Sequence, residues 1–219
     1  MNLSMNTTTM EKEKTVVPVE SEILSKPAAV NFEGQTPLHV ATNQGDIELA
    51  RTLIAKGADV NAVTNFWHTP LHYAVNRGGY EIAKLLLDSG AKVNALSNFD
   101  YTPLHYAANH GKVRVAELLI EKGAALNIQN TFGHTPLHCT ANHPKIQSDC
   151  DNCKNGRYIF CGGVHGRTEI ARMLVDKGAK LNLEDGDGNT ALEIAKKFGY
   201  AEMVHIIEAG LLMHTRRMG

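Results

Sequence analysis

The sequence predicts an all-α repeat solenoid, made of helix-turn-helix units joined by protruding β-hairpin loops. Three observations predict it. The phrase Thr-Pro-Leu-His occurs four times at fixed spacing, starting at Thr36, Thr69, Thr102 and Thr135, each 33 residues after the last. A fifth, degenerate copy stands at Thr190-Ala191-Leu192-Glu193. Glycines recur at matched places within each period. A period of this length belongs to stacked units, none of which buries its apolar face alone. Function in such an array is recognition by an extended surface.

The elements follow in chain order. Residues 1–30 are rich in Met, Thr, Glu and Lys up to Pro27 and carry no sustained period. They read as a flexible leader, with Val19 to Leu24 suited to loose packing on the first repeat. The repeat body is derived from one copy. Thr102 caps a helix and Pro103 takes its first position, where a missing N–H costs nothing. Leu104, Ala107 and Ala108 give a narrow apolar face that a neighbouring helix can approach closely. Gly111 ends the helix in a left-handed turn. Val113, Val115, Ala116, Leu118, Leu119 and Ile120 form a second, more apolar helix, which stops at Gly123-Ala124. Ala125 to Phe132 is extended and leads into the next copy. The same pattern recurs at Gly45 and Gly57, Gly78 and Gly90, and Gly166 and Gly178, where positive φ is expected.

These residues closely resemble the ankyrin repeat family. The matching features are TPLH followed by Ala, the glycine between helices, the Gly-Ala after the second helix, and Asn61, Asn94, Asn127 and Asn182. The resemblance covers residues 31–210 as five repeats, starting near 31, 64, 97, 130 and 185. The last copy reads as a cap, because Glu193 replaces the motif His and Lys196, Lys197, Glu202 and Glu208 place charge where a sixth repeat would stack. Residues 211–219 form a C-terminal tail expected to fray.

Composition excludes several classes. A formal net charge of −1 gives no basic field for a phosphate backbone, so nucleic acid is not an expected partner. No run of about 18 apolar residues exists, so no membrane span is expected. The leader lacks an uninterrupted apolar core, and its Glu11, Glu13, Glu20 and Glu22 argue against a mitochondrial presequence. Of the 4 cysteines, three cluster near residue 155, unlike a disulfide framework spread over a secreted scaffold. The expected setting is reducing: the cytoplasm, with a nucleus or the interior of a host cell reading the same way. A monomer is expected.

The motif histidines His39, His72, His105 and His138 invite catalytic or metal readings. The resemblance implies instead that each hydrogen-bonds its Thr and the adjoining turn. Cys139 occupies a packing column otherwise filled by Val40, Tyr73, Tyr106 and Ile194. No carboxylate pair, phosphate loop or Ser-His-Asp set stands out, so no catalysis is expected.

The resemblance also implies that binding residues come from the hairpin tips and the exposed end of each first helix. Aligning those columns gives Phe66, Phe99 and Phe132 on adjacent tips, with Trp67, His68, Tyr101 and His134 beside them, and Arg77, Asn109 and His110 at the helix ends. The chain has 6 Phe, 6 Tyr and 1 Trp, so five aromatics at tip positions are a concentrated use of a scarce residue type. They read as a contact surface for another protein or as hairpin-to-hairpin packing. Trp67 and Asp100 stand where other tips carry Gly34, Gly133 and Gly188, so those two turns are expected to differ in backbone shape. The hairpin asparagines read as turn-shaping hydrogen-bonders or as hydroxylation targets.

The interval from Thr135 to Thr190 is 55 residues, a surplus of 22 over the period. It falls as an insertion at residues 144–165, in the turn between the helices of repeat 4. Cys150 and Cys153 form a Cys-x2-Cys turn, Asn155-Gly156 is a hairpin signal, and Arg157 to Phe160 is β-like. Such a hairpin returns Cys161 to the first pair, and His165 completes a Cys3His set suited to tetrahedral Zn2+, with His143 as the competing fourth ligand. Structural zinc supplies roughly 10–16 kcal/mol in small peptides, enough to order a loop with little apolar content. A redox cysteine pair and a disordered loop are the alternatives. The function that follows is a non-enzymatic protein–protein interaction module or adaptor. The alternative is a zinc-dependent or redox-active protein centred on the insertion.

Overall fold

A computed structural model describes residues 30–142 and 162–217. Residues 1–29 of the leader, Cys150, Cys153, Cys161 and the competing His143 lie outside the described residues. Ten α-helices are seen among those described: α1 Pro37–Gln44, α2 Ile47–Ala55, α3 Pro70–Arg77, α4 Tyr80–Asp88, α5 Pro103–Asn109, α6 Val113–Glu121, α7 Pro136–Ala141, α8 Gly162–Asp176, α9 Ala191–Phe198 and α10 Ala201–Arg217. The first helices (α1, α3, α5, α7, α9) pack in series, and so do the second helices (α2, α4, α6, α8, α10). The result is two layers of helices with tip turns between repeats.

Local chemistry fixes where each first helix starts. In four copies the Thr backbone N–H donates to Nδ1 of the motif His, at 3.1 Å for Thr36, 3.1 Å for Thr69, 3.0 Å for Thr102 and 3.2 Å for Thr135. Proline at the first position completes the start. Leu38, Leu71, Leu104 and Leu137 from these helices are buried in the layer between, each contributing about 1.5–3 kcal/mol. Ala41, Ala74 and Ala107 are fully buried, so adjacent first helices approach closely.

The all-α repeat solenoid is as expected: among the described residues the hairpin loops between repeats are tight turns without β-strand, and one isolated bridge pairs Glu184 with Thr190. Two expectations are corrected by the structure. Gly166 is not a left-handed turn glycine. It lies inside α8, which starts at Gly162, so the last four inserted residues are helical and α8 runs 15 residues where α2, α4 and α6 run 9. Its smallness serves another purpose, because a Cβ there would overlap the Gly111 carbonyl of the preceding repeat. Helix α10 continues to Arg217, and Gly210 is buried where a Cβ would come within 3.0 Å of Leu181.

The second correction concerns the tips. Trp67 and Asp100 keep positive φ, 59° and 62°, close to the 76° of Gly34 and 75° of Gly133. Trp67 makes the same turn bond as the glycines: its N–H donates to the Thr64 carbonyl at 2.9 Å, as Gly34 donates to Asn31. The turn shape is therefore kept at Trp67 against side-chain strain. Only the third tip departs, with Phe99 also at φ 62° and a 3₁₀ turn over Asn98–Asp100.

Candidate partner-binding surface

The tips are built on one short polar column that the sequence reading passed over. Asn31, Thr64, Asn130 and Asp185 stand five residues before each Thr. The Asn130 Oδ1 accepts from the N–H of Phe132 and of His134, both at 2.9 Å. Thr64 and Asp185 accept in the same way. Asn, Thr, Ser and Asp recurring at one offset before each copy were the available signal, since these side chains fold a turn by bonding their own backbone. Ser97 instead donates to the Asn98 carbonyl, which accompanies the different third tip.

Backbone bonds then join tip to tip. Asn65 N–H donates to the Glu33 carbonyl, Asn98 to Phe66, Thr131 to Phe99, and Gly186 to Phe132, at 2.8–3.0 Å. The three phenylalanines thus sit on a continuous hydrogen-bonded ridge. Their side chains point outward: Phe66 is 53% exposed, Phe99 55%, Phe132 49% and Trp67 63%. The Phe99 and Phe132 rings meet at 5.8 Å between centroids, and no ring contact holds Phe66 or Trp67 among the described residues. Ring-to-ring contact therefore joins one pair of the four.

Tyr101 does not join this outward set. It is half-buried and packs edge-on against His105 and beside Tyr106. His68 and His134 also turn inward. His68 Nε2 lies 2.7 Å from the Tyr106 hydroxyl, and its ring packs edge-on against His72, Tyr73 and Tyr106. His134 Nε2 lies 3.5 Å from Asp185 and 3.3 Å from the Asn142 amide. At the helix ends Arg77 and His110 are exposed and Asn109 is half-buried. The predicted residues thus divide between an aromatic ridge and the face of the first helices.

On that face a hollow of ≈ 150 Å³ is lined by His68, His72, Tyr73, Asn76 and Tyr106. Pockets for cofactors and small molecules run about 300–1,000 Å³, so this one accommodates a single side chain. Tyr73 and Tyr106 were read from sequence as packing residues; a tyrosine repeated where other copies carry Val40 or Ile194 was the signal for a wall.

The motif histidines bind repeat to repeat. Because the Thr N–H can only donate, Nδ1 is the bare nitrogen and Nε2 carries the proton. Nε2 then donates to a carbonyl in the next tip: His39 to His68 at 3.0 Å, His72 to Tyr101 at 3.2 Å, His105 to His134 at 3.0 Å and His138 to Asn189 at 3.2 Å. Burial pushes the His72 and His105 imidazoles down to about 4. Glu193 accepts from the Thr190 N–H at 2.7 Å but has no donor to pass onward, which suits a last repeat. The hairpin asparagines link the repeats too. Asn61, Asn94 and Asn127 each accept, through Oδ1, a backbone N–H from the next repeat, at 2.8–2.9 Å.

Two profiles of this repeat type fit the chain. A profile described as ankyrin repeats, three copies, matches residues 19–97, and one described as ankyrin repeats, many copies, matches residues 86–138. The chain belongs to the ankyrin repeat family. A comparison with curated proteins finds no match. Ankyrin repeats generally mediate protein–protein interaction.

Other chemistry is sparse in the described part of this ankyrin chain. Cys139 is buried, and burial pushes its thiol up to about 12, so it is neither nucleophile nor ligand as it stands. No group of three or more His, Cys, Asp or Glu converges on a metal position among the described residues. Of the four expected zinc ligands only His165 is described, and it is exposed near the start of α8. No described helix is long and apolar enough to cross a membrane.

Proposed function

We propose that this ankyrin chain is a non-enzymatic interaction module, or adaptor, that holds a partner protein against the aromatic ridge and the first-helix face. One observation carries the reading: Phe66, Trp67, Phe99 and Phe132 stand about half or more exposed on tips that backbone bonds lock together. Large aromatics on a hydrogen-bonded tip backbone and left open to water gain from desolvation on binding, which is the make-up of interface anchors. His68, Tyr101 and His134 contribute from the inner side, and Arg77, Asn109 and His110 from the helix ends.

Replacing Phe66, Phe99 and Phe132 together by Ala tests it. Capture of partner protein from lysate should fall at least about tenfold while the helical circular dichroism stays the same. Unchanged capture would reduce the ridge to packing.

The same reading includes a structural Zn2+ in the insertion, held by Cys150, Cys153, Cys161 and His165. The donor set and spacing support it: three soft thiolates and one imidazole fill a tetrahedral site and leave no open position for catalysis. Metal analysis of chain purified under reducing, chelator-free conditions should give about one zinc per chain, lost in Cys150→Ser and Cys153→Ser. Metal-free protein from that preparation would sink the zinc assignment.

A further inference from the structure

Repeats 2 and 3, which wall the hollow, each carry a cation at or just after the end of the first helix. Asn76 lines the hollow, and Arg77 follows it at the end of α3. The Arg77 side chain lies back over the first repeat's turn, its Nε 3.6 Å from where a Cβ on Gly45 would stand. Lys112 does the same one repeat later, with Nζ 3.7 Å from the corresponding point on Gly78. Neither cation is paired with a carboxylate among the described residues. On the second helices, by contrast, Lys84 and Lys122 share Asp88 and Arg172 meets Glu202.

The surroundings do not neutralise them. Helices α1, α3, α5 and α7 contain no Asp or Glu. Asp46 stands in the Gly45 turn, but its Oδ1 accepts the Leu49 N–H as the cap of α2. Among the polar atoms of the walls, the Tyr106 hydroxyl is bonded to His68 and that of Tyr73 to the Gln35 amide, which also donates to the Glu33 carboxylate in the first tip. What the walls offer is ring surface and the Asn76 amide, and the positive charge stands at the Gly45 and Gly78 turns.

We propose that this face is a subsite for an acidic peptide segment in extended conformation. An apolar side chain enters the Tyr73–Tyr106 hollow, and two side-chain carboxylates meet Arg77 and Lys112. The two cations come from adjacent repeats. Helices packed side by side stand about 8–10 Å apart, the span of about three residues of extended chain. The ligand therefore carries two acidic residues about three positions apart, with an apolar residue next to or between them. This rests on the interaction-module reading and names the partner's chemistry at the first-helix face, separately from the aromatic ridge.

The test uses the full chain and a bead-displayed library of random decapeptides. The recovered peptides should be enriched at least about fivefold in Asp or Glu at paired positions beside an apolar residue, and 0.5 M NaCl should weaken the recovery. The double variant Arg77→Glu/Lys112→Glu, both at the surface, should keep the helical circular dichroism and turn the preference towards Lys and Arg. Tyr73→Ala should remove the apolar preference and leave the acidic one. The proposal is overturned by recovery without acidic preference, by a preference that charge reversal leaves unmoved, or by no recovery at all. Lysate capture by the same double variant separates the two readings. If it persists while the triple Phe variant loses capture, the ridge reading stands whatever the library shows.

Discussion

The Nε2 of His105 donates to the carbonyl oxygen of His134, 3.0 Å away and one repeat later. The same ring accepts the Thr102 N–H on its other nitrogen, so one neutral imidazole both starts its own helix and fastens the next tip. A second proton has no place: it would face the Thr N–H.

Acid should therefore loosen the stack. The unfolded histidines titrate near 6.5, whereas folded His72 and His105 are held at about 4 by burial. Between those values the unfolded chain binds protons that the folded one does not, so stability falls as pH drops through the window. The slope is about 1.4 kcal/mol per pH unit for each of the two, flattening below about pH 4. His39 and His138 move in the same direction, also through burial. Urea midpoints from pH 7.5 to 4.5 measure this, and a flat profile from 7 to 5 would contradict it.

Trp67 holds φ at 59° where three other tips place glycine, at Gly34, Gly133 and Gly188. Trp67→Gly should relieve left-handed strain and raise stability by about 1 kcal/mol. If the indole anchors a partner, the more stable variant binds more weakly, so denaturation and capture should move in opposite directions.

Gly166 faces the Gly111 carbonyl across the repeat 3–4 junction. Elsewhere in a helix Gly→Ala gains about 1 kcal/mol of propensity. Here the methyl should force the helix off the turn and cost about 1–3 kcal/mol net. A stabilised Gly166→Ala variant in thermal denaturation would refute the close approach.

Cys139 should stay silent towards thiol reagents. In a chain with Cys150, Cys153 and Cys161 changed to Ser, one thiol remains, buried and held almost wholly protonated near neutrality. Labelling by a chromogenic disulfide should await unfolding by urea. Rapid labelling of the folded chain would show that the α7 packing opens.

How much was legible follows the range of the forces involved. Thr102, Pro103 and His105 declare a helix start within four residues, so the starts and the repeat body were readable from the chain. The tip column of Asn31, Thr64, Asn130 and Asp185 was equally local, and was missed because the eye follows the apolar period. Gly166 was misread because its pattern position matched a turn glycine, while an insertion had moved the helix start upstream to Gly162. Tyr101 was misplaced because a residue one step before the cap faces either side of a tip, depending on how the next repeat seats.

By itself the sequence determined the family, the two-layer stack and the aromatics at the tips, since caps, turn residues and a 33-residue period are short-range or periodic signals. Only the tertiary structure decided which aromatics face water and that Tyr73 and Tyr106 wall a hollow. It also showed Arg77 and Lys112 lying over their neighbours' turns. These depend on where one repeat's side chains land on the next, a geometry set by packing and carried by no single repeat.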